Sequence, residues 1–120
     1  MIQRGTVMLV ADNSGASLVR CIGVKDGSWR RYAYVGDVVK VSIRKAAPRT
    51  IEVGTMSFAV VVRTRHSVKR ASGETIHFSD NAVVLLNSQM EPSATRVLGP
   101  ICSELRTRFP KIVSLAPEVY

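Results

Sequence analysis

Four side chains in this sequence could ligate a metal or act as a nucleophile and its base: Cys21, His66, His77 and Cys102. Their spacing supports neither chemistry. The two cysteines stand 81 residues apart, neither belongs to a C-x-x-C pair, and the histidines have no ligand spacing relative to them. The pattern reads as two buried thiols in a reducing compartment, with a structural disulfide or a zinc site as the alternatives. The carboxylates Asp12, Asp37, Glu74, Asp80 and Glu104 show no paired spacing, and G-x-S-x-G, P-loop and G-x-G-x-x-G patterns are absent. A Ser/His/Asp group assembles in space and leaves no linear signature. Both histidines, however, fall in a basic hairpin that should hold them exposed. The expectation is a protein that is not an enzyme and has no cofactor and no metal.

Cation chemistry is the stronger signal. The 120 residues carry a formal net charge of +8. Between positions 30 and 70 lie Arg30, Arg31, Lys40, Arg44, Lys45, Arg49, Arg63, Arg65, Lys69 and Arg70, against only Asp37 and Glu52. The rest of the chain holds seven basic and seven acidic residues, so the central third contains the whole excess. Charge that serves only solubility is spread along a chain. Localised charge in a sequence that is 46 % apolar marks a folded module presenting one positive surface to a polyanion. An anionic membrane is the competing partner, but it calls for a basic amphipathic helix or a lipidation site, and neither is visible.

Three clusters make up the basic stretch. Arg63-Thr64-Arg65-His66 follows the apolar run Ala59-Val60-Val61-Val62, and Lys69 and Arg70 precede Ser72-Gly73, where the chain can reverse. Strand alternation directs Arg63 and Arg65 to one side. A hydrophobic base with a cationic tip suits an arm lying along a phosphate backbone, where arginine supplies a planar fork and a stacking surface. In Trp29-Arg30-Arg31-Tyr32-Ala33-Tyr34, two arginines lie among three aromatics, as expected for RNA contact by charge and stacking. The aromatics fit a packed barrel rim equally well. Arg44-Lys45-Ala46-Ala47-Pro48-Arg49 is the third patch, expected in a loop fixed by Pro48.

The elements that must position these residues read mainly as β. β-Branched runs occur at 6–11, 18–24, 38–43, 58–64, 75–78 and 82–86, with turn signals at Asp12-Asn13-Ser14-Gly15 and Gly36-Asp37. Residues 58–64 and 75–78 look like the two arms of a hairpin. Short strands at this spacing predict a small closed barrel or sandwich, and closure would protect the edges of such valine-rich strands. Ile101, Leu105 and Phe109 recur at helical spacing, so a helix is expected over 101–109, with Pro100 in its first turn and Pro110 stopping it. With no linker, repeat or low-complexity segment, 1–120 reads as one domain: barrel and hairpin over 1–90, a mostly helical tail over 91–120. The longest apolar stretches fall far short of the roughly 20 residues that span a bilayer. The N-terminal residues lack signal- and transit-peptide features. The protein is therefore expected to be made where it works, or to have lost a leader.

These residues also carry a resemblance. The chain closely resembles the universal large-subunit ribosomal protein family numbered fourteen (L-fourteen), especially its bacterial and organellar members, from Met1-Ile2-Gln3 to Val119. The resemblance rests on Val10-Ala11-Asp12-Asn13-Ser14-Gly15-Ala16, Arg30-Arg31-Tyr32-Ala33, Val35-Gly36-Asp37 and Ala59-Val60-Val61-Val62-Arg63-Thr64. It continues through Ser72-Gly73, Val84-Leu85-Leu86-Asn87, Thr95-Arg96, Gly99-Pro100, Glu104-Leu105-Arg106 and Ser114-Leu115-Ala116-Pro117-Glu118-Val119. It implies a small five-stranded β-barrel with a protruding β-hairpin and a short C-terminal helical region. It further implies binding to large-subunit rRNA at the intersubunit face, bridges to small-subunit rRNA, and neighbours that are the third and nineteenth large-subunit proteins. Bacterial and organellar members also receive a ribosome-silencing factor, and the positions carried over for that contact are Thr95, Arg96, Lys111 and Ser114. Arg49-Thr50-Ile51-Glu52-Val53 is poorer in lysine than bacterial relatives, Trp29 and Tyr34 replace smaller or more polar residues, and Pro110 interrupts the tail. This divergence points toward an organellar ribosome, mitochondrial in the first place, over a bacterial one.

Overall fold

The computed structural model describes residues 2–25 and 31–120. Its strands, in chain order, are β1 (Val7–Val10), β2 (Ala16–Val24), β3 (Val38–Ala46), β4 (Met56–Arg63), β5 (Val68–Lys69), β6 (Thr75–Ile76), β7 (Ala82–Leu86), β8 (Pro100–Ile101) and β9 (Glu118–Val119). A 3₁₀ turn (Ser103–Arg106) and one helix, α1 (Pro110–Leu115), complete the chain. Strands β1, β2, β3, β4 and β7 close a five-stranded barrel in that order. All neighbours are antiparallel except the closing pair, β1 and β7, which run parallel with Leu9 opposite Ala82 and Val10 opposite Val83.

Period-two patterning decides what the barrel encloses. In β3, Val39, Val41 and Ile43 point inward, joining Met8, Val19, Cys21, Ala59, Val61, Val83 and Leu85 in one buried cluster. Lys40 and Arg44 alternate outward and are exposed. Alternation stops in β4 and β7, where Ala59, Val60, Val61 and Val62 are each 0 % exposed and every residue of β7 is buried. Such continuous apolar runs belong to strands covered on both faces. Here the outer cover is the tail: Val97, Ile101, Leu105 and Ile112 pack on Val60, Val62, Val84 and Leu86 in a second buried cluster. Among the described residues the barrel therefore has one covered flank, β4–β7, and one bare flank, β1–β3.

Two local expectations are corrected. The run 58–64 is not an arm of the hairpin. It pairs with β3 and β7 inside the barrel, because residues buried on both faces need strand partners on both edges. The protruding ribbon has only the short β5–β6 ladder, Val68 opposite Ile76 and Lys69 opposite Thr75, with the Phe78 N–H donating to the Thr64 carbonyl at its base (2.9 Å). Nor is 101–109 one helix. The Cys102 N–H donates to the Val62 carbonyl (3.1 Å), which holds Ile101 and Cys102 extended against β4. Pro110 then opens α1 instead of ending a helix, since proline lacks the N–H that a first helical turn leaves unused and has its φ preset.

Barrel closure relies on a buried carboxylate. Asp12, 4 % exposed, accepts hydrogen bonds from the Leu85 N–H (3.0 Å) and from the N–H and hydroxyl of Ser14 (3.0 and 2.5 Å). Each donor offsets part of the desolvation cost of the charge. Gly15 follows with φ 103, and a Cβ there would lie 2.4 Å from Thr50 Oγ1. Only glycine admits both that backbone conformation and the close approach of the 47–55 loop.

Candidate nucleic-acid interface

The bare flank and the ribbon carry most of the expected cations. Lys40, Arg44 and Lys45 are exposed on β3, so the third basic patch begins within a strand and only Arg49, exposed at φ 65, lies in the loop beyond it. Arg31 is exposed beside the N-terminal segment, to which its loop is stitched by reciprocal Ile2–Ala33 backbone bonds (3.0 and 2.6 Å). Arg65 and Lys69 are exposed on the ribbon. Arg30 and Trp29 lie outside the described residues. Tyr32 is half-buried and Tyr34 exposed, its N–H held by Asp37 (2.8 Å).

Arg63 and Arg70 have different surroundings. The Arg63 side chain is 11 % exposed; its Nε donates to Asp80 (2.5 Å) and its Nη1 to the carbonyls of Leu98 (3.2 Å) and Pro100 (3.1 Å). Gly99, at φ 77, passes over this guanidinium, where a Cβ would come within 2.9 Å of Nη1. Arg63 thus ties β4 to the tail. Arg70 ties the ribbon to the tail in the same way. Its Nε donates to Glu104 (2.8 Å) and its Nη2 to Ser103 Oγ (3.2 Å) and the Tyr120 carbonyl, with Glu74 at 3.8 Å. The Cys102 thiol donates to the other Glu104 oxygen and sits 3.9 Å from Arg70 Nη2. Partial burial of Glu104 opposes its ionisation, but hydrogen bonds from Cys102 and Arg70 outweigh that and hold the carboxyl below its usual value. Burial, followed by the Glu104 carboxylate, pushes the Cys102 thiol up.

The acids are consumed on this side of the molecule. Asp80 is held by Arg63, Glu74 and Glu104 by Arg70, Glu91 by Lys111 (3.7 Å), and Asp12 by backbone donors. No carboxylate among the described residues forms an ion pair with Lys40, Arg44, Lys45, Arg49, Arg65 or Lys69. Folding therefore concentrates uncompensated positive charge on the bare flank and the ribbon. It also adds two cations that linear counting puts in a neutral flank: Arg4 and Arg20, both exposed next to Arg44. Arg20 was detectable by strand alternation, between the inward Val19 and Cys21; Arg4 had no local signal.

Cys21 and Cys102 are free and buried, with burial raising the Cys21 thiol above its ordinary value. His66 and His77 are exposed on the ribbon. Among the described residues no group of three or more His, Cys, Asp or Glu side chains could hold a metal, and no helix is long and apolar enough to cross a membrane. On the covered side, Asn13 fixes the loop that carries Thr95 and Arg96. Its Nδ2 donates to Thr95 Oγ1 (3.1 Å), and its Oδ1 accepts from both backbone N–H groups (3.2 and 3.1 Å). Lys111 and Ser114 are exposed on α1, with the Ser114 hydroxyl returned to the Lys111 carbonyl (2.7 Å).

Barrel, ribbon and tail together agree with a comparison at the level of sequence: a model of the family described as ribosomal protein L14p/L23e matches residues 1–120, the whole chain. The chain belongs to the ribosomal protein L14p/L23e family and is, accordingly, a structural protein of the large ribosomal subunit.

Proposed function

We propose that the chain binds large-subunit rRNA through the bare β1–β3 flank and the ribbon, at the face that meets the small subunit. The observation that carries this reading is the segregation of charge. Asp80, Glu91 and Glu104 are engaged on the tail side, while Arg31, Lys40, Arg44, Lys45, Arg49, Arg65 and Lys69 stand exposed on the bare flank and the ribbon, where Glu52 beside Arg49 is an exception among the acids. Arg30 belongs to the same group by its place in the sequence. A phosphate backbone is the partner such a surface recognises, and contact with it makes affinity depend on salt. Arg63 and Arg70 act as positioning residues that hold β4 and the ribbon in place. Bridges to small-subunit rRNA and contacts with the third and nineteenth large-subunit proteins follow from the family resemblance, as does a ribosome that is organellar, mitochondrial first. The test is binding of purified large-subunit rRNA across a salt series. Wild type should show a steep loss of affinity with salt, and Arg65→Gln/Lys69→Gln a slope shallower by about one to two units. A salt-independent wild type defeats the reading. Sedimentation of tagged protein with large subunits from cytosol and from purified organelles decides the compartment.

A second reading concerns the tail side: Thr95, Arg96, Lys111 and Ser114 dock a ribosome-silencing factor. It is supported by the Asn13 contacts that preform the Thr95–Arg96 loop and by the exposure of all four side chains. Arg96→Glu should lose the factor and still enter the large subunit. Failure to assemble would make Arg96 an rRNA contact instead.

A further inference from the structure

We propose that Arg4, Arg20 and Arg44 form a binding site for a phosphodiester group of RNA on the outer face of the barrel. The proposal rests on the rRNA-binding reading above and extends it to two arginines outside the basic central third. The three side chains line an open cleft of about 520 Å³, together with Gly5 and Ser42. Strand register brings them together: Arg20 on β2 stands opposite Val7 on β1 and opposite Ser42 on β3, and alternation puts Ser42 and Arg44 on one face. The floor is kept low by short residues. Ser42 offers only a hydroxyl, and Gly5 lies under the Arg20 guanidinium, since a Cβ built there would be 3.9 Å from Nη2.

All the charged side chains that line the cleft are cationic. Arg4 Nε donates to the Ile22 carbonyl (3.0 Å), which aims its guanidinium, and its terminal nitrogens have no partner among the described residues. The side chains of Arg20 and Arg44 make no hydrogen bond or ion pair among the described residues, and no carboxylate lines the cleft. Three like charges lining one cleft with no carboxylate among them favour an anion there, and a phosphate would meet attraction from each. The guanidinium fork matches two phosphate oxygens, and the Ser42 hydroxyl supplies a further donor. An open cleft suits a group on a strand that runs across it, continuing toward Lys40 on the same strand face, better than an enclosed small ligand.

The test uses the full chain, with large-subunit rRNA as probe and inorganic phosphate and pyrophosphate as alternative ligands. Arg4→Gln/Arg20→Gln/Arg44→Gln should keep its thermal transition and lower the slope of log affinity against log salt by about 0.7, the share of the one single-strand phosphate that the three side chains hold. The Arg65→Gln/Lys69→Gln ribbon variant should lose slope independently. If the triple variant fails to fold, Arg20→Gln alone carries the test, with a slope loss in the same direction of up to about 0.7. A folded cleft variant whose slope equals that of wild type overturns the proposal and leaves the parent reading intact, whereas a wild type that binds no rRNA overturns the parent reading itself. Saturation of the cleft by inorganic phosphate or pyrophosphate as tightly as by rRNA would also overturn it, in favour of a small-anion site.

Discussion

Arg63 and Arg65 stand two positions apart in a stretch where every cation invites the same interpretation, yet their surroundings separate them. Arg63 has spent its donors on Asp80, Leu98 and Pro100, and Arg65 projects into solvent. The register shift in β4–β7 pairing between Val61 and Arg63 marks where barrel alternation ends, so the two need not share a side as a regular strand would require. Arg63→Gln should therefore cost about 2 kcal/mol in urea unfolding, because it leaves a partly buried carboxylate and two carbonyls underpaired, with discount for Asp80 being about a third exposed. Its rRNA salt slope should match wild type. Arg65→Gln should show the reverse, a lower slope at unchanged stability. Equal slopes for both variants would remove the distinction.

At the scale of elements, the ribbon is too short to hold itself. Two residue pairs form its ladder, and an isolated two-stranded ribbon is marginal in water. Its orientation comes from Arg70 docked on Glu104, Ser103 and Tyr120. Glu104 is held below its usual value in the folded protein, which fixes the sign of the pH effect. The latch stabilises fully above the ordinary carboxylate range and is lost as pH falls through the folded value. Amide exchange across residues 68–76 should accelerate relative to the barrel strands below about pH 4. Glu104→Gln should show the faster exchange already at neutral pH, with the pH step gone. An unchanged ribbon in that variant would mean the latch lies elsewhere.

On the scale of the whole molecule, the tail decides which flank of the barrel is available to RNA. Leu105 and Ile112, both 0 % exposed, sit in the cluster that covers Val60, Val62, Val84 and Leu86. Leu105→Ala should lower stability by about 2–5 kcal/mol through lost burial and a residual cavity. The inner barrel cluster, which Leu105 does not enter, should stay packed, so near-ultraviolet signals from the tail side should change first as denaturant rises. A single transition with no such order would show that tail and barrel fold as one cooperative unit.

The sequence by itself determined that the fold is a small barrel of short apolar strands, and where along the chain the basic excess lies. These depend on period-two patterning and on composition within a few residues. The motifs from Val10 to Val119 also sufficed to indicate the family. Only the tertiary structure decided which cations are spoken for, because the partners of Arg63 lie 17, 35 and 37 residues away and those of Arg70, apart from the neighbouring Glu74, lie 33, 34 and 50 away. The same holds for Arg4 and Arg20, neutralised on paper by acids that the fold engages elsewhere or sets outside their cleft. Local pattern also misread residues 101–110. The helical spacing of Ile101 and Leu105 is real, but both side chains are buried against β4 and β7, and a backbone bond to Val62 outweighs the helix the spacing implied. Short-range periodicity reports which side of an element is apolar; charge pairing and cover are settled by contacts distant in sequence, which folding alone brings together.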